Sequence, residues 1–207
     1  MARVRSDRRG HALLDGIPVT TAQDTFLDLA GELSLLDLVV LGDSLVGRGR
    51  ISPEELVAAA EQRGTARHRA IARRAAGLVR VGVDSPMESR LRMLIVLAGL
   101  PEPVVNHVEY AEDGRWARRF DLSYPEHRLA IEYDGRQHAE STKQWQRDVE
   151  RRAELDQDGW RLVVVLADGI YRQPERTLER VVAAMRVRGM RARVSSEEWR
   201  RYFPGRG

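Results

Sequence analysis

Acidic residues alternate with apolar ones in two neighbouring segments of the chain, residues 120–123 and 129–134. Such alternation is typical of β-strands, and it puts Glu132 and Asp134 together on one face of the second strand. If a short turn makes the two strands antiparallel neighbours, Asp121 lies close to Glu132 across the pair. Carboxylate oxygens are the ligands that Mg²⁺ prefers in proteins. One interpretation of this spacing is therefore a metal site built on Asp121 and Glu132.

A purely structural interpretation of the same acids stays open at this point. The two strands could form an edge hairpin whose solvated carboxylates pair with nearby arginines, namely Arg118, Arg119 and Arg128. Strict alternation also predicts that Phe120 and Leu122 lie on the face opposite Asp121 and Ser123. Spacing alone does not decide between the two interpretations.

Three more residues could contribute to chemistry, and each also has a structural explanation. Glu88 completes a Ser85-x-x-Glu88 capping box, in which its carboxylate reaches back to the helix start. Asp148 lies in a helical segment, where the arginines one turn further on could pair with it. His138 follows a strand and a glycine, and an imidazole there is either a loop residue or a group that titrates near neutral pH.

The elements that must position these residues begin near residue 83. Apolar periodicity predicts a helix over 85–98, strands over 103–110, 116–123 and 128–134, a helix over 143–158, a strand over 160–167 and a final helix over 174–188. The order α-β-β-β-α-β-α is typical of an α/β fold with a mixed four-stranded sheet flanked by helices. The crossover helix makes the last strand parallel to its neighbour.

The two ends of the chain differ from this central part. Residues 15–80 show only helical periodicity and cap signals after a turn at 15–18, so we expect an all-helical region there. Residues 191–207 are rich in arginine and contain Trp199, Tyr202 and Phe203, and this tail either docks on the core or stays mobile. We therefore divide the chain into residues 1–82, 83–190 and 191–207.

Composition excludes several classes of protein. The 207 residues contain 34 Lys+Arg against 31 Asp+Glu, a net charge of +3, and Lys143 is the single lysine. Arginine binds phosphate oxygens bidentately, so an arginine-rich surface permits nucleic-acid binding. Because there is no cysteine, disulfides, a thiolate nucleophile and a cysteine zinc site are excluded. The apolar runs are shorter than the about 20 residues of a membrane span, and we expect a cytoplasmic protein without a membrane partner.

The combined segments 120–138, 147–148 and 159–164 resemble an uncharacterised bacterial domain related to the very-short-patch-repair endonucleases of the PD-(D/E)XK nuclease superfamily. The resemblance covers about residues 83–166 and implies a restriction-endonuclease-like fold for the 83–190 domain. It implies functional equivalents at four positions of this chain, namely Glu88, Asp121, His138 and Asp148.

Two departures from that family pattern stand out. The superfamily lysine falls at Asp134 if Glu132 is the second acid, so that positive charge is missing from the strand. The structural zinc of the repair enzymes has no cysteine to bind it. Relatives also often carry a winged-helix segment upstream, which implies that residues 1–82 are the remainder of a regulatory or DNA-binding half.

The resemblance implies Mg²⁺- or Mn²⁺-dependent hydrolysis of DNA, in DNA repair or phage defence. Asp121 and Glu132 would hold the metal, and His138 would act as general base or leaving-group acid. Glu88 and Asp148 would orient water or a second metal, and Asp134 would take over the positioning role of the lysine. Four arginines would hold flanking phosphates: Arg118, Arg119, Arg136 and Arg147.

A second hypothesis belongs to another class of function. The missing lysine and zinc site are also what a catalytically silent nuclease fold would show, acting as a DNA- or protein-binding module in a toxin–antitoxin or defence system. A homodimer and a complex with a partner protein are both open. Convergence of Glu88, Asp121, Glu132 and His138 on one cleft would favour the enzyme.

Overall fold

The computed structural model describes residues 5–6, 11–62, 66–110, 116–135 and 142–205. The chain forms two compact units, Met1–Pro86 and Met87–Gly207. Each unit is described by itself below. No helix in the described part of the chain is long and apolar enough to cross a membrane.

Within its described residues, the first unit combines four helices with a small antiparallel sheet. The strands are β1 (Arg5–Ser6), β2 (His11–Leu14) and β3 (Ile17–Thr20), and the helices are α1 (Ala22–Leu29), α2 (Leu35–Gly47), α3 (Pro53–Gln62) and α4 (Ala66–Leu78). Thr21 and Ser34 cap α1 and α2 by accepting backbone N–H bonds. Phe26, Leu38 and Leu56 are fully buried and form part of its core.

The helical prediction for this region is confirmed for α1–α4 and wrong for residues 17–20, which form β3. The cause is the turn at Asp15 and Gly16, whose φ angles are +50° and +82°. Positive φ at both central residues is the geometry of a two-residue hairpin, and an Asp-Gly pair adopts it readily. The hairpin joins β2 to β3 through pairs such as Leu14 with Ile17.

The second unit contains the predicted mixed sheet. Its elements are α5 (Pro86–Leu97), β4 (Val104–Tyr110), β5 (Trp116–Tyr124), a 3-10 turn (Pro125–His127), β6 (Leu129–Tyr133), α6 (Thr142–Gln157), β7 (Arg161–Val165), α7 (Ala167–Tyr171), α8 (Pro174–Val187) and a 3-10 turn (Glu198–Arg201). The strand order is β4-β5-β6-β7. The first three strands are antiparallel, and β6 and β7 are parallel. The fold prediction is therefore confirmed, with α7 as an unpredicted addition.

Apolar side chains cover both faces of this sheet. Leu122 of β5 pairs with Ile131 of β6, and both side chains are fully buried. Leu155 anchors α6 to the sheet in a cluster with Phe120, Ala130 and Trp160. The Trp160 ring lies 4.4 Å from the Phe120 ring, centroid to centroid. Burial of these aromatic rings fixes α6 against the strands that carry the predicted acids.

The C-terminal segment docks on the second unit rather than extending away from it. The backbone N–H of Ser195 donates to the carbonyl of Ala98, just after the end of α5, and its hydroxyl donates to the carbonyl of Gly99. Trp199 and Phe203 are both buried. Of the two alternatives left open for the tail, the structure shows the docked one for residues 191–205.

Candidate active site

Asp121 and Glu132 lie where β5 and β6 stop pairing. The last pair on this side is Leu122 with Ile131, and continuing the register by one residue brings Asp121 opposite Glu132. Instead of a strand carbonyl, the Asp121 carboxylate Oδ2 accepts the backbone N–H of Tyr133, at 2.9 Å. This bond ties the Asp121 side chain to the neighbouring strand at the position where the two backbones separate.

A local irregularity in the sheet turns Asp121 toward β6. The ladder between β4 and β5 passes over Asn106 and Asp121, and Asn106 has a φ of +46°, a left-handed conformation that asparagine tolerates. Phe120 packs with Ala130, which is the partner of Ser123. The expectation that Phe120 lies on the face opposite Ser123 is therefore wrong. Regular alternation breaks at Asp121, since the strand is distorted there.

Glu132 forms an ion pair with Arg151 of α6. An Nη2–H of Arg151 donates to Oε1 of Glu132 at 2.5 Å. The Glu132 side chain is only 12% exposed, whereas the Arg151 side chain is 45% exposed. A positive charge thus reaches Glu132 from α6, the helix that follows β6 in the chain.

The pKa values of the Asp121 and Glu132 carboxyl groups are both raised because the groups are poorly solvated. Burial raises the pKa of Glu132 to about 7, against the opposing charge of Arg151 and with a smaller contribution from Asp121. Burial also raises the pKa of Asp121, opposed by its hydrogen bond from Tyr133, while the charge of Glu88 raises it further. Burial, more than repulsion between the acids, makes these two carboxylates electrostatically unfavourable in their ionised form.

Two further acids act on this pair. Glu88 of α5 influences Asp121, and Asp134 influences Glu132, each through its negative charge. Asp134 is held at the end of β6 by its backbone N–H, which donates to Val165 of β7 at 2.9 Å. Glu88 and Asp134 therefore add negative charge around the Asp121–Glu132 pair.

The donor chemistry at this site fits a hard divalent cation. Within the described residues, no group of three or more His, Asp or Glu side chains is arranged to hold a metal ion. Mg²⁺, however, is commonly bound by one or two carboxylates together with water and substrate phosphates. Asp121 and Glu132 supply two poorly solvated carboxylates of that kind, so these residues suit the predicted ion.

Several predicted site residues lie beyond what the structure describes. His138 and Arg136 fall in residues 136–141, outside the described part of the chain. Arg147 and Asp148 are in α6, with side chains that are likewise outside the description. Their predicted roles in proton transfer, water orientation and phosphate binding stay predictions.

The two arginines before Asp121 occupy different surroundings. Arg118 forms ion pairs with Asp158 and with Glu154, the latter at 3.6 Å, and its side chain is 18% exposed. Arg119 is exposed, and its charge lowers the pKa of Asp121. Arg119 is therefore the better placed of the two to meet a phosphate near the carboxylates.

Sequence reasoning missed Arg151 as a site residue. It is one of the two arginines one turn after Asp148 that sequence reasoning considered only as pairing partners of that aspartate. A signal was present, because Arg151 lies four residues before the apolar Leu155 and so shares its face of α6. A charged residue on the face of a helix that packs against a sheet needs a partner there, and Glu132 is that partner.

Comparisons with known proteins point to the same part of the chain. Residues 113–185 match the family model described as REase_MTES_1575, a restriction-endonuclease-like family. The matched segment runs from just before β5 into α8 and contains Asp121, Glu132 and Arg151. Glu88 and the first unit lie outside it.

Two curated relatives come from Mycobacterium tuberculosis: uncharacterized protein MT2308 of strain CDC 1551 / Oshkosh and uncharacterized protein Rv2248 of strain H37Rv. Each is 33% identical to this chain over 99 residues, which is 47% of this chain and 36% of the relative. The match thus spans about a third of the length of these relatives. No solved structure gives a significant match. The family match and the mixed sheet together support a restriction-endonuclease-like domain in this chain, at residues 113–185.

Proposed function

We propose that the second unit is a Mg²⁺- or Mn²⁺-dependent endonuclease that hydrolyses phosphodiester bonds in DNA. The observation that carries the proposal is the juxtaposition of Asp121 and Glu132, two poorly solvated carboxylates where β5 and β6 separate. The match to a restriction-endonuclease-like family over the same strands supports it. Burial of two carboxylates at one point costs folding free energy that the hydrogen bond from Tyr133 and the ion pair with Arg151 only partly offset, so the pair favours a functional role.

Asp121 and Glu132 would hold the ion. When bound, a divalent ion supplies polarisation of the scissile phosphate and a lowered pKa for a coordinated water. Asp121 is prepared for this role, because the Tyr133 N–H occupies Oδ2 and fixes the orientation of the carboxylate. Burial of Glu132 keeps bulk water away from the second carboxylate and strengthens its interaction with a cation.

Residues around Asp121 and Glu132 would carry out the proton transfer and bind the phosphates. We assign His138 as the general base or leaving-group acid, and Glu88 and Asp148 to orientation of the attacking water or of a second ion. The charge of Glu88 on Asp121 supports its share of that role. Arg119, Arg136 and Arg147 are assigned to flanking DNA phosphates.

We propose the following biological setting for this activity. DNA is the partner, and a homodimer and a partner protein are both compatible with it. Residues 1–82 are assigned to a regulatory or DNA-binding half, and the activity to DNA repair or phage defence in the cytoplasm. We further propose that the domain is related to the very-short-patch-repair endonucleases.

A plasmid-nicking assay tests the reaction directly. Supercoiled plasmid is incubated with the full chain in Mg²⁺, in Mn²⁺ and in EDTA, beside Asp121→Asn and the control Glu126→Gln, whose side chain is exposed in the turn between β5 and β6. We expect nicking in either ion, none in EDTA, none with Asp121→Asn and wild-type rates with Glu126→Gln.

The silent-fold hypothesis gives the opposite result in the same assay. The wild-type chain could be folded, as judged by its thermal midpoint, and bind plasmid without nicking it in either ion. That result would reject the endonuclease hypothesis and favour the DNA-binding module. Equal nicking by wild type and Asp121→Asn would instead exclude Asp121 from the active site and indicate a contaminating nuclease.

A further inference from the structure

Arg151 is the residue whose position the proposed reaction does not yet explain. It approaches the site from α6 and donates to Oε1 of Glu132 at 2.5 Å. Its charge also lowers the pKa of Asp121, so it acts on both proposed metal ligands. Leu155, one turn later, is buried against Phe120 and Trp160 and fixes this part of α6 on the sheet.

We infer that Arg151 is an exchangeable counter-ion, which holds Glu132 in the metal-free protein and contacts a substrate phosphate when a divalent cation replaces it on Glu132. The inference rests on the proposed function and adds a residue to it that holds the substrate. It also predicts competition between one side chain and the ion, which is measurable without any cleavage.

Repulsion between positive charges favours the exchange. Glu132 is nearly buried, so its ionised form needs a cation within contact distance. Among the described residues, the cation in contact with it is Arg151. A divalent ion on the same carboxylate would lie within a few ångströms of the guanidinium, and the two positive charges would repel each other. Arg151 therefore opposes metal binding in proportion to how tightly it holds Glu132.

The shape and exposure of the side chain allow the second half of the exchange. The Arg151 side chain is 45% exposed although its carboxylate partner is buried, so the guanidinium can turn outward without leaving a packed position. The guanidinium has five N–H donors, and its planar fork matches two oxygens of a phosphate. A released Arg151 stands beside the carboxylates at the point where the scissile phosphate must bind.

The metal titration tests the first half of the inference. Thermal midpoints of the full chain are measured as a function of Mn²⁺ concentration at about pH 8, where ordinary carboxyl groups are ionised. The proteins compared are wild type, Arg151→Gln, Arg151→Lys and the control Arg152→Gln, which changes an exposed neighbour on α6. We expect Arg151→Gln to lower the apparent Kd for Mn²⁺ by about tenfold, as removal of one charge about 5 Å from a divalent ion implies even at the dielectric constant of water. Arg151→Lys keeps the charge and should stay near wild type, as should Arg152→Gln.

Plasmid nicking at saturating Mn²⁺ tests the second half. We expect Arg151→Gln to raise KM for the plasmid about tenfold, because one charge-assisted phosphate contact is lost, and Arg152→Gln to leave KM unchanged. A Kd that is unchanged or raised in Arg151→Gln overturns the competition, and an unchanged KM overturns the phosphate contact. If wild type shows neither a metal-dependent shift nor nicking, the proposed function fails and this inference fails with it. A wild-type shift without any effect of Arg151→Gln rejects the inference alone.

Discussion

The carboxylate of Asp121 accepts the backbone N–H of Tyr133, at 2.9 Å, across the gap where β5 and β6 part. A side chain thereby takes the place of a strand carbonyl in satisfying a backbone donor. Asp121 has two roles as a result, one in the sheet and one in the proposed metal site. Substitutions at this position can separate the two roles, since asparagine retains an acceptor and alanine does not.

Asp121→Asn should abolish nicking while leaving the thermal midpoint unchanged or higher. The amide oxygen can still accept the Tyr133 N–H, and loss of the buried charge removes an unfavourable electrostatic contribution. Asp121→Ala should also abolish nicking but lower the free energy of unfolding by about 1 kcal/mol, because the Tyr133 donor loses its partner. The measurements are plasmid nicking, thermal unfolding and urea unfolding of both variants. Equal large losses of stability in both would show that Asp121 is chiefly a structural residue.

The metal-free protein should lose stability as the pH rises through the titration of Glu132. Its folded-state pKa of about 7 lies above the ordinary glutamate value of 4.5, so the folded state holds a proton that the unfolded chain releases. The contribution is therefore fully present below about pH 4.5 and is lost by about pH 7, and the shift corresponds to roughly 3 kcal/mol. Urea unfolding in EDTA of wild type and Glu132→Gln measures it as the pH-dependent difference between them. A difference that does not change with pH would contradict the raised pKa.

A divalent ion should stabilise the wild type by mass action. At a free ion concentration about 100 times its Kd, the gain is roughly 2.7 kcal/mol. Carboxylate ligands predict that Mg²⁺ and Mn²⁺ both act, whereas a histidine-dominated site would prefer a transition metal. Thermal-shift titrations of wild type and Glu132→Gln provide the measurement. An equal shift in the variant would remove Glu132 from the ligand set.

Substitution by glutamine should affect stability at Arg118 and plasmid binding at Arg119. Arg118→Gln should lower the free energy of unfolding by about 1 kcal/mol and leave KM unchanged, because its guanidinium is mostly buried in ion pairs with Glu154 and Asp158. Arg119→Gln should leave stability within about 0.5 kcal/mol and raise KM several-fold, since its side chain is exposed and acts on Asp121. Urea unfolding and steady-state nicking compare the two. The reverse pattern would assign phosphate binding to Arg118.

The sequence patterns that were most informative are those that depend on one strand and its immediate neighbour. Alternation in 120–123 and 129–134 was sufficient to predict two paired strands, and the observed register of Leu122 with Ile131 follows from keeping both apolar faces buried. The helical crossover similarly predicted the parallel β7. The hairpin at Asp15 and Gly16 was predictable in principle, because that dipeptide favours the turn.

Features that depend on packing between distant elements were not accessible in this way. The pair between Glu132 and Arg151 joins residues 19 positions apart on a strand and a helix, and its formation depends on how α6 lies on the sheet. The break in alternation at Asp121 coincides with the left-handed Asn106 at the facing position of the adjacent strand. The sequence of β5 contains no information about the irregular backbone of β4, so regular alternation was expected in β5.

The docking of Ser195 on the end of α5 has a consequence for the order in which the protein is made. Residues 195–203 hold α5 through the carbonyls of Ala98 and Gly99 and bury Trp199 and Phe203. During synthesis, which proceeds from the N-terminus, α5 and its Glu88 leave the ribosome long before these partners do. The nascent second unit therefore keeps apolar surface exposed until residues 195–203 emerge from the ribosome. A pause in translation before residue 195 prolongs the exposure of this surface to chaperones and proteases.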